Sequence, residues 1–513
     1  MGKRKKNDDI NVPDLMGKGI TYVYLIVMMG VFPAFYPGHL IGIHSVKAGF
    51  FITAASIYLC LMLFVFVYSG ISHIKERRKI EYDLGDIFAA VFLIAVVMST
   101  VFGLDSQEAF WGNSRIKTGG LVLLLCVLSF FAVKRYAKPD RSLIRINLLA
   151  SAFIYLSGIL LTCKLDILNM QKDIVEEQKE IFVSSIGNIN YNVSYISLIL
   201  PAAMALFLFC RELADRRILA VYLFIGFMDM ICLRTESAVA MLLFAFVLLL
   251  YFALEKPEWL TRYISVVLLF IGANVSVYVL KIALKGHMYD FDGLSAVLLK
   301  TETVAAEVLI GVLLFCFQRF AKGITEEKAL RFQKRYRNLV LAAVSVGALF
   351  VLALNFFFGD YASGNALKNL ILDDDFGNSR GYVYTRTVSL FSKLPFVNQI
   401  FGCGLGCFYD FIFPAYGEDM LARFNSVFYD PHNDLLHVLA TTGFVGVIGF
   451  FGGIFTTLAA SMKKRKNRKV QIMAVMSLAA FLVQGLVNSF TIFIIPLVFI
   501  IMGLAYSAPP ESE

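Results

Sequence analysis

Hydrophobic residues fill this 513-residue chain in long runs, and short polar stretches separate one run from the next. A run of about 20 apolar residues is long enough to cross the hydrocarbon core of a bilayer. Backbone polar groups inside lipid must be hydrogen-bonded within their own segment, so each run is predicted to be a helix. The pattern predicts about 12 to 14 transmembrane helices, with candidate spans at 20–36, 48–70, 84–103, 119–133, 144–162, 191–210, 217–233, 236–254, 263–280, 302–318, 338–358, 443–461, 470–488 and 490–507.

Composition supports this fold class. Hydrophobic residues make up 58% of the chain, and the mean hydropathy is +0.71, which is far more apolar than a soluble globular protein. A membrane β-barrel would instead show alternating segments of about 10 residues. The sequence therefore predicts an all-α polytopic membrane protein.

The basic residues predict the orientation of the helices. If the N-terminus is cytoplasmic, every second connection is cytoplasmic too, and these connections carry 32 of the 47 Lys and Arg residues. This bias is the positive-inside pattern, and it predicts that both termini are cytoplasmic. The basic clusters are scattered at helix ends rather than gathered in a domain, so no nucleic-acid partner is expected.

This topology divides the chain into five regions. The regions are a basic cytoplasmic N-terminus (1–19), eleven helices (20–358), a large external loop (359–431), the C-terminal helices (432–507) and a cytoplasmic tail (508–513). The external loop contains aromatic and apolar runs that predict short helices lying on the membrane surface.

A polar stretch, DPHNDLLHVLATTGFVG, stands directly before the twelfth predicted span. Asp430 is predicted to be the N-cap of that helix, which places His432 in its first turn. The positive end of the helix dipole disfavours a charged imidazole there, so a neutral His432 that acts as a general base is one interpretation. The other is a capped helix start with a bystander histidine. His437 is interpreted as an interfacial residue on a different face of the helix.

The spacing of this stretch resembles a known signature. His432 and Asn433 are followed by nine residues and then by Gly443, two residues and Gly446. The preceding loop contains Arg380 in the aromatic segment SRGYVY and a glycine-rich turn, FGCGLGCF. Together these features resemble the O-antigen ligase and O-antigen polymerase superfamily, and upstream segments extend the resemblance over roughly residues 100 to 460.

The resemblance implies an activity and its partners. Members of the superfamily transfer or polymerise glycans carried on a polyprenyl diphosphate, typically undecaprenyl, at the outer face of the cytoplasmic membrane of bacteria. They act in cell-surface polysaccharide biosynthesis without a metal or other cofactor. The implied partners are a lipid-linked glycan donor, a glycan or lipid-glycan acceptor, the surrounding membrane lipids, a glycan flippase and a chain-length regulator.

The resemblance also implies roles for individual residues. His432 would be the base that activates the acceptor hydroxyl, and Arg380 would bind the diphosphate, because guanidinium stays charged and presents a fork of donors. In many ligases a Ser-Arg pair supplies a second arginine, whereas Ser237 is followed here by Ala238. That departure weakens the case for a strict lipopolysaccharide ligase. The remaining candidate contacts to the substrate are Arg234, Asn433, Arg386, Arg115 and Tyr384.

Each of these candidates also has a structural interpretation. Arg234 can be an interfacial anchor or a partner of Glu236, Arg115 and Arg386 can be surface residues, and Tyr384 can belong to an aromatic belt. A transporter remains an alternative function, because Glu302 and Glu307 lie near or within a predicted span.

Overall fold

The computed structural model describes residues 12–76, 82–321, 323–357, 367–463 and 468–507. Its helices are α1 (Val12–Ile26), a π-helical turn (Val27–Val31), α2 (Phe32–Ala34), α3 (Ile43–Glu76), α4 (Leu84–Val101), α5 (Ser106–Trp111), α6 (Gly120–Tyr136), α7 (Arg141–Thr162), α8 (Glu176–Lys179), α9 (Ile189–Phe209), α10 (Leu213–Cys232), α11 (Glu236–Ala253), α12 (Pro257–Ala283), α13 (Gly293–Leu298), α14 (Thr301–Ala321), α15 (Glu326–Phe357), a 3₁₀ turn (Lys368–Leu370), α16 (Phe376–Phe391), α17 (Phe396–Phe401), α18 (Phe408–Phe424), α19 (Asp434–Met462), α20 (Arg468–Gly485) and α21 (Ile495–Ser507).

The predicted fold class, an all-α polytopic membrane protein, is confirmed. Ten helices within the described ranges are long and apolar enough to cross a membrane. The other four predicted spans coincide with α6, α10, α20 and α21, which are shorter or carry charged residues. The last two spans were predicted too long, because residues 486–494, which include Asn488, Ser489 and Thr491, form a turn between α20 and α21 instead of continuing either helix.

Strands are confined, in the described part of the chain, to one small hairpin in the connection between α7 and α9. Strand β1 (Phe182–Val183) pairs antiparallel with β2 (Gly187–Asn188), with Phe182 opposite Asn188 and Val183 opposite Gly187. The hairpin leads directly into α9, whose N-cap is Asn188.

Helix α9 forms the centre of the bundle. Its apolar side chains are buried around most of the circumference, which is typical of a helix surrounded by other helices rather than lipid. Helix α20 packs along α9, α19 packs along α4, and α21 packs along α6. Helices α14 and α15 lie at the periphery and expose most of their apolar side chains.

The connection between α15 and α19 contains short helices, as the sequence predicts. Helices α16, α17 and α18 lie within its described part, residues 367–433, whereas residues 359–366 of the predicted loop lie outside the described ranges. A small apolar cluster joins these helices to the start of α19, with Tyr382, Phe408, Met420 and Ala440 buried at its centre. This cluster positions the connection against the helix that follows His432.

Candidate functional site

The segment before α19 folds differently from the prediction. Asn433, not Asp430, is the N-cap, and its side-chain oxygen accepts a hydrogen bond from the Leu436 N–H at 3.0 Å. The Asp430 carboxylate instead accepts a hydrogen bond from the backbone N–H of His432 at 2.7 Å. This bond to the residue two positions later forms a local turn. His432 therefore precedes the helix and adopts the left-handed conformation, with φ of 50°. The prediction was wrong because Asp430 and Asn433 are both good caps, and only one can begin the helix.

The His432 ring is held on one side and open on the other. Its Nδ1 lies 2.9 Å from the Ser489 hydroxyl and 3.4 Å from the Asp430 carboxylate. The ring edge also meets Phe428, with centroids 6.2 Å apart. Within the described residues Nε2 makes no hydrogen bond, and 34% of the side chain is exposed. A neutral imidazole that donates through Nδ1 has a free Nε2 lone pair, which is what a general base requires.

Tyr384 connects His432 to the helix that carries Arg380. Its hydroxyl donates to the backbone oxygens of His432 at 3.2 Å and Leu486 at 3.1 Å. The same Leu486 oxygen accepts from the Asn433 side chain at 2.9 Å. Burial raises the pKa of Tyr384, while the nearby positive charge of Arg380 opposes that rise. Tyr384 and Asn433 therefore connect the backbone around His432 to Leu486 by hydrogen bonds. Arg380 lies one helical turn from Tyr384.

Arg380 has no counter-ion among the described residues. Three residues before it, Gly377 to Ser379, have left-handed backbone angles and interrupt α16, so regular helix starts at Arg380. One terminal nitrogen donates to the Gly377 oxygen at 3.1 Å, and Nε is buried without a partner. No carboxylate in the described part of the chain pairs with it. Such a group is prepared to receive an anion.

Arg115 is a second arginine without a carboxylate partner among the described residues. Its guanidinium lies over the ring of Tyr429, 4.5 Å from the centroid. Tyr429 directly precedes Asp430 in the sequence. The Asn113 side chain shapes this loop, because it accepts the backbone N–H groups of Arg115 and Ile116 at 2.8 Å. Arg115 therefore borders the Asp430–His432 segment from the side of the chain that follows α5.

Two glycine motifs of the sequence form one interlocking contact. Helix α19 breaks at Gly443, where φ is 66° and ψ is −168°. The break frees the carbonyls of Ala440 and Thr441, which accept the N–H groups of Cys403 at 2.8 Å and Gly404 at 3.2 Å. A Cβ atom on Gly402 would lie 2.1 Å from the Thr441 backbone. The glycine-rich turn thus docks into the broken helix just after the histidine.

Arg386 belongs to a closed ionic network. Its two terminal nitrogens reach the Asp374 carboxylate at 2.6 and 2.9 Å, and its plane lies 4.4 Å from the centre of the Tyr382 ring. Arg423 bridges the same Asp374 at 3.1 Å and Asp419 at 2.8 Å. Because Arg386 is paired with Asp374, its charge stabilises the connection between α15 and α19 and is not free to bind a substrate.

Arg234 is also occupied. It adopts a left-handed backbone, φ of 56°, at the end of α10, and its side chain is 7% exposed. The guanidinium donates to the backbone oxygens of Glu180 and, at 3.3 Å, Asp290, and it lies over the Tyr289 ring. These contacts join the α7–α9 and α12–α13 connections to the end of α10.

The place of the family's Ser-Arg pair lies near the site even though Arg234 turns away from it. Ser237, in the first turn of α11, is 3.4 Å from the Gln484 side chain. Gln484 stands two residues before Leu486, whose carbonyl binds Tyr384 and Asn433. The backbone at position 238 therefore lies near the site. Arg234 instead contacts Glu180 and Asp290 in the α7–α9 and α12–α13 connections.

Two site residues were missed in the sequence. Asp430 was interpreted only as a cap, and Ser489 was not considered. The signal for Ser489 is the polar group Asn488, Ser489 and Thr491 between two strongly apolar runs. His437, predicted to be interfacial, is instead 2% exposed and stacks on Phe490 at 5.2 Å below the site.

The comparisons with known proteins agree with the motif positions. A family model described as O-antigen ligase matches residues 291–451, which include Arg380, the glycine-rich turn and His432. No curated protein matches the chain. The resemblance noted in the sequence is therefore confirmed, and over residues 291–451 this chain carries the domain of the O-antigen ligase family.

Proposed function

We propose that this protein transfers or polymerises a glycan carried on a polyprenyl diphosphate, at the outer face of a bacterial cytoplasmic membrane. The observation that carries the proposal is His432, whose Nδ1 is held by Ser489 and Asp430 while Nε2 has no hydrogen-bond partner among the described residues. Arg115 lies over Tyr429, which precedes Asp430, and Arg380 lies one helical turn from Tyr384, whose hydroxyl binds the His432 backbone. Neither arginine has a carboxylate partner among the described residues.

The proposed chemistry is a displacement at the anomeric carbon of the donor sugar. Nε2 of His432 takes the proton of an acceptor hydroxyl, and the oxygen forms a bond to the anomeric carbon. The bond from that carbon to the diphosphate oxygen breaks, and its electron pair leaves with the polyprenyl diphosphate. Asp430, close to Nδ1, stabilises the imidazolium that results.

The arginines act on the leaving group. Negative charge grows on the bridging oxygen as the glycosidic bond breaks, and a guanidinium positioned there stabilises the transition state more than the ground state. Arg380 is the first candidate, because its Nε has no partner in the described structure. Arg115 is the second candidate, because it also has no carboxylate partner among the described residues, whereas Arg234 pairs with Glu180.

The product follows from the acceptor. A second lipid-linked glycan makes the protein a polymerase, and any other sugar hydroxyl makes it a ligase. We favour a polymerase or a related glycan ligase over a strict lipopolysaccharide ligase, because Ala238 replaces the arginine of the Ser-Arg pair.

The transporter alternative gains little from the structure. The Glu307 carboxylate accepts a hydrogen bond from the Asn274 side chain at 2.7 Å, so it is engaged within the protein. Glu302 is exposed at the start of α14.

Transfer assays with purified protein in vesicles test the proposal. His432→Ala is expected to slow transfer from a lipid-linked glycan by about 10² to 10⁴-fold, as loss of a general base does. Arg380→Ala is expected to slow it by about 10² to 10³-fold through lost charge stabilisation. Matched controls are His287→Ala and Arg331→Ala, which change exposed residues of the described structure outside the site. Transfer at the normal rate by correctly inserted His432→Ala would refute the assignment.

A further inference from the structure

A cavity of about 670 Å³ with charged and apolar lining lies between α10, α12 and α14, far from His432. The link between the two places is α9. Asn190, at one end of α9, touches Asn488 beside Ser489, and Phe207, near the other end, lines the cavity. Seventeen residues of helix separate them, which corresponds to about 25 Å along the axis. The cavity therefore sits at the opposite end of the bundle, where the basic connections cluster.

Three arginines from three different helices line this cavity: Arg216 of α10, Arg262 of α12 and Arg319 of α14. Within the described structure none of them forms an ion pair. Arg216 lies near enough to Arg262 for their positive charges to repel, and Glu258 is the one carboxylate of the lining. The lining therefore has a net charge of +2.

Two neighbouring arginines at the same end of the bundle are paired with carboxylates. Arg141 pairs with Glu212 at 3.2 Å, and Arg145 pairs with Asp215 at 3.2 Å. Asp215 directly precedes Arg216 in sequence, yet its carboxylate is used by Arg145. Two carboxylates at this end of the bundle are thus engaged by Arg141 and Arg145, and neither of them pairs with an arginine of the cavity.

The rest of the lining consists of hydrogen-bonded polar side chains and apolar walls. The Gln318 side chain donates to the Thr261 backbone at 2.9 Å and to the Ser265 hydroxyl at 2.8 Å, which ties α14 to α12. Phe207 and Phe315 supply apolar walls, and Phe315 belongs to the face of α14 that is open to lipid. A ligand that fits has a doubly negative head and hydrocarbon chains that leave sideways into the bilayer.

We infer that this cavity is a binding site for cardiolipin, the anionic phospholipid whose headgroup carries two phosphates. Basic pockets between transmembrane helices recognise such headgroups, and guanidinium binds phosphate oxygens through paired donors. The two phosphates match the net charge of the cavity, and the acyl chains lie along Phe315 and the exposed side of α14. The site is independent of glycan transfer at His432.

Native mass spectrometry of the delipidated full-length protein tests this assignment. With added cardiolipin, the wild type is expected to retain one molecule more tightly than phosphatidylglycerol. The double variant R216Q/R319Q is expected to bind cardiolipin about 25-fold more weakly, because each basic residue near an anionic headgroup contributes about fivefold. The control R331Q removes an exposed arginine of α15 that pairs with Glu327, and its binding is expected to be unchanged.

A variant that binds cardiolipin more tightly than the wild type distinguishes a change in lipid recognition from misfolding. Glu258→Gln removes the one negative charge of the lining and is expected to tighten cardiolipin binding about fivefold. Equal binding of phosphatidylglycerol, displacement of cardiolipin by inorganic pyrophosphate alone, or unchanged binding by R216Q/R319Q would overturn the assignment.

Discussion

A histidine that acts as a base needs one ring nitrogen free, and the partner of the other nitrogen determines which one is free. In this protein Ser489 and Asp430 both lie at Nδ1 of His432. The spacing signature and the family resemblance predicted roles for the histidine and Arg380. They did not identify Ser489, because that residue lies 57 positions later in an apolar region and meets His432 only through the packing of α20 and α21.

Removing the Ser489 hydroxyl tests its role in positioning the ring. Ser489→Ala is expected to lower kcat of glycan transfer about tenfold with little change in KM, because a lost hydrogen bond of about 1 to 1.5 kcal/mol lets the ring turn. Ser489→Thr keeps a hydroxyl and should restore most of the rate. Ser392→Ala, at an exposed hydroxyl, serves as the control. An equal loss in the alanine and threonine variants would indicate a packing defect instead of a positioning role.

At the scale of elements, the glycine motifs have a structural explanation that the sequence could not supply. In the sequence Gly443 is only part of a spacing signature, whereas the structure shows that it marks a break in α19 into which the turn at Gly402 fits. Hydrophobic periodicity predicts where a helix lies, but it contains no information about a carbonyl that leaves the helix to bind another segment. Gly449 does allow close approach, since a Cβ there would lie 2.5 Å from the Phe92 backbone.

Two alanine substitutions separate the docking contact from the backbone angle. Gly402→Ala is expected to lower thermal stability strongly or prevent folding, because the new Cβ meets the Thr441 backbone at 2.1 Å and φ is 82°. Gly42→Ala has a similar φ of 73° and no atom within 4 Å, so only the cost of the left-handed angle, about 1 to 2 kcal/mol, is expected. Equal melting temperatures for the two variants, measured in detergent, would argue against the interlocking contact.

For the whole molecule, each predicted span coincides with a helix, because long apolar runs leave the backbone few alternatives. The count of ten helices that qualify as membrane spans differs from the predicted 12 to 14, because the remaining four helices are shorter or carry charged residues. Ser489, in the turn 486–494 between the last two of them, completes the site. The orientation stays a prediction from the distribution of basic residues.

Cysteine labelling tests that orientation. In a chain whose native cysteines are replaced, Glu177→Cys in the α7–α9 connection is expected to react with a membrane-impermeant maleimide in intact cells. Lys138→Cys, between α6 and α7, is expected to react only after permeabilisation. Both positions are exposed in the structure, so a difference reports the side of the membrane. The reverse pattern would place the site on the cytoplasmic side and contradict the proposed activity.

The turn between α20 and α21 has a consequence for biogenesis. The ribosome makes His432 well before Ser489 and Leu486, yet the base takes its geometry from both of them. A nascent chain can insert α19 and still lack a competent site until the final turn reaches the translocon exit and docks. Under the proposed function, a nascent chain is therefore expected to gain transfer activity only after this last turn has docked.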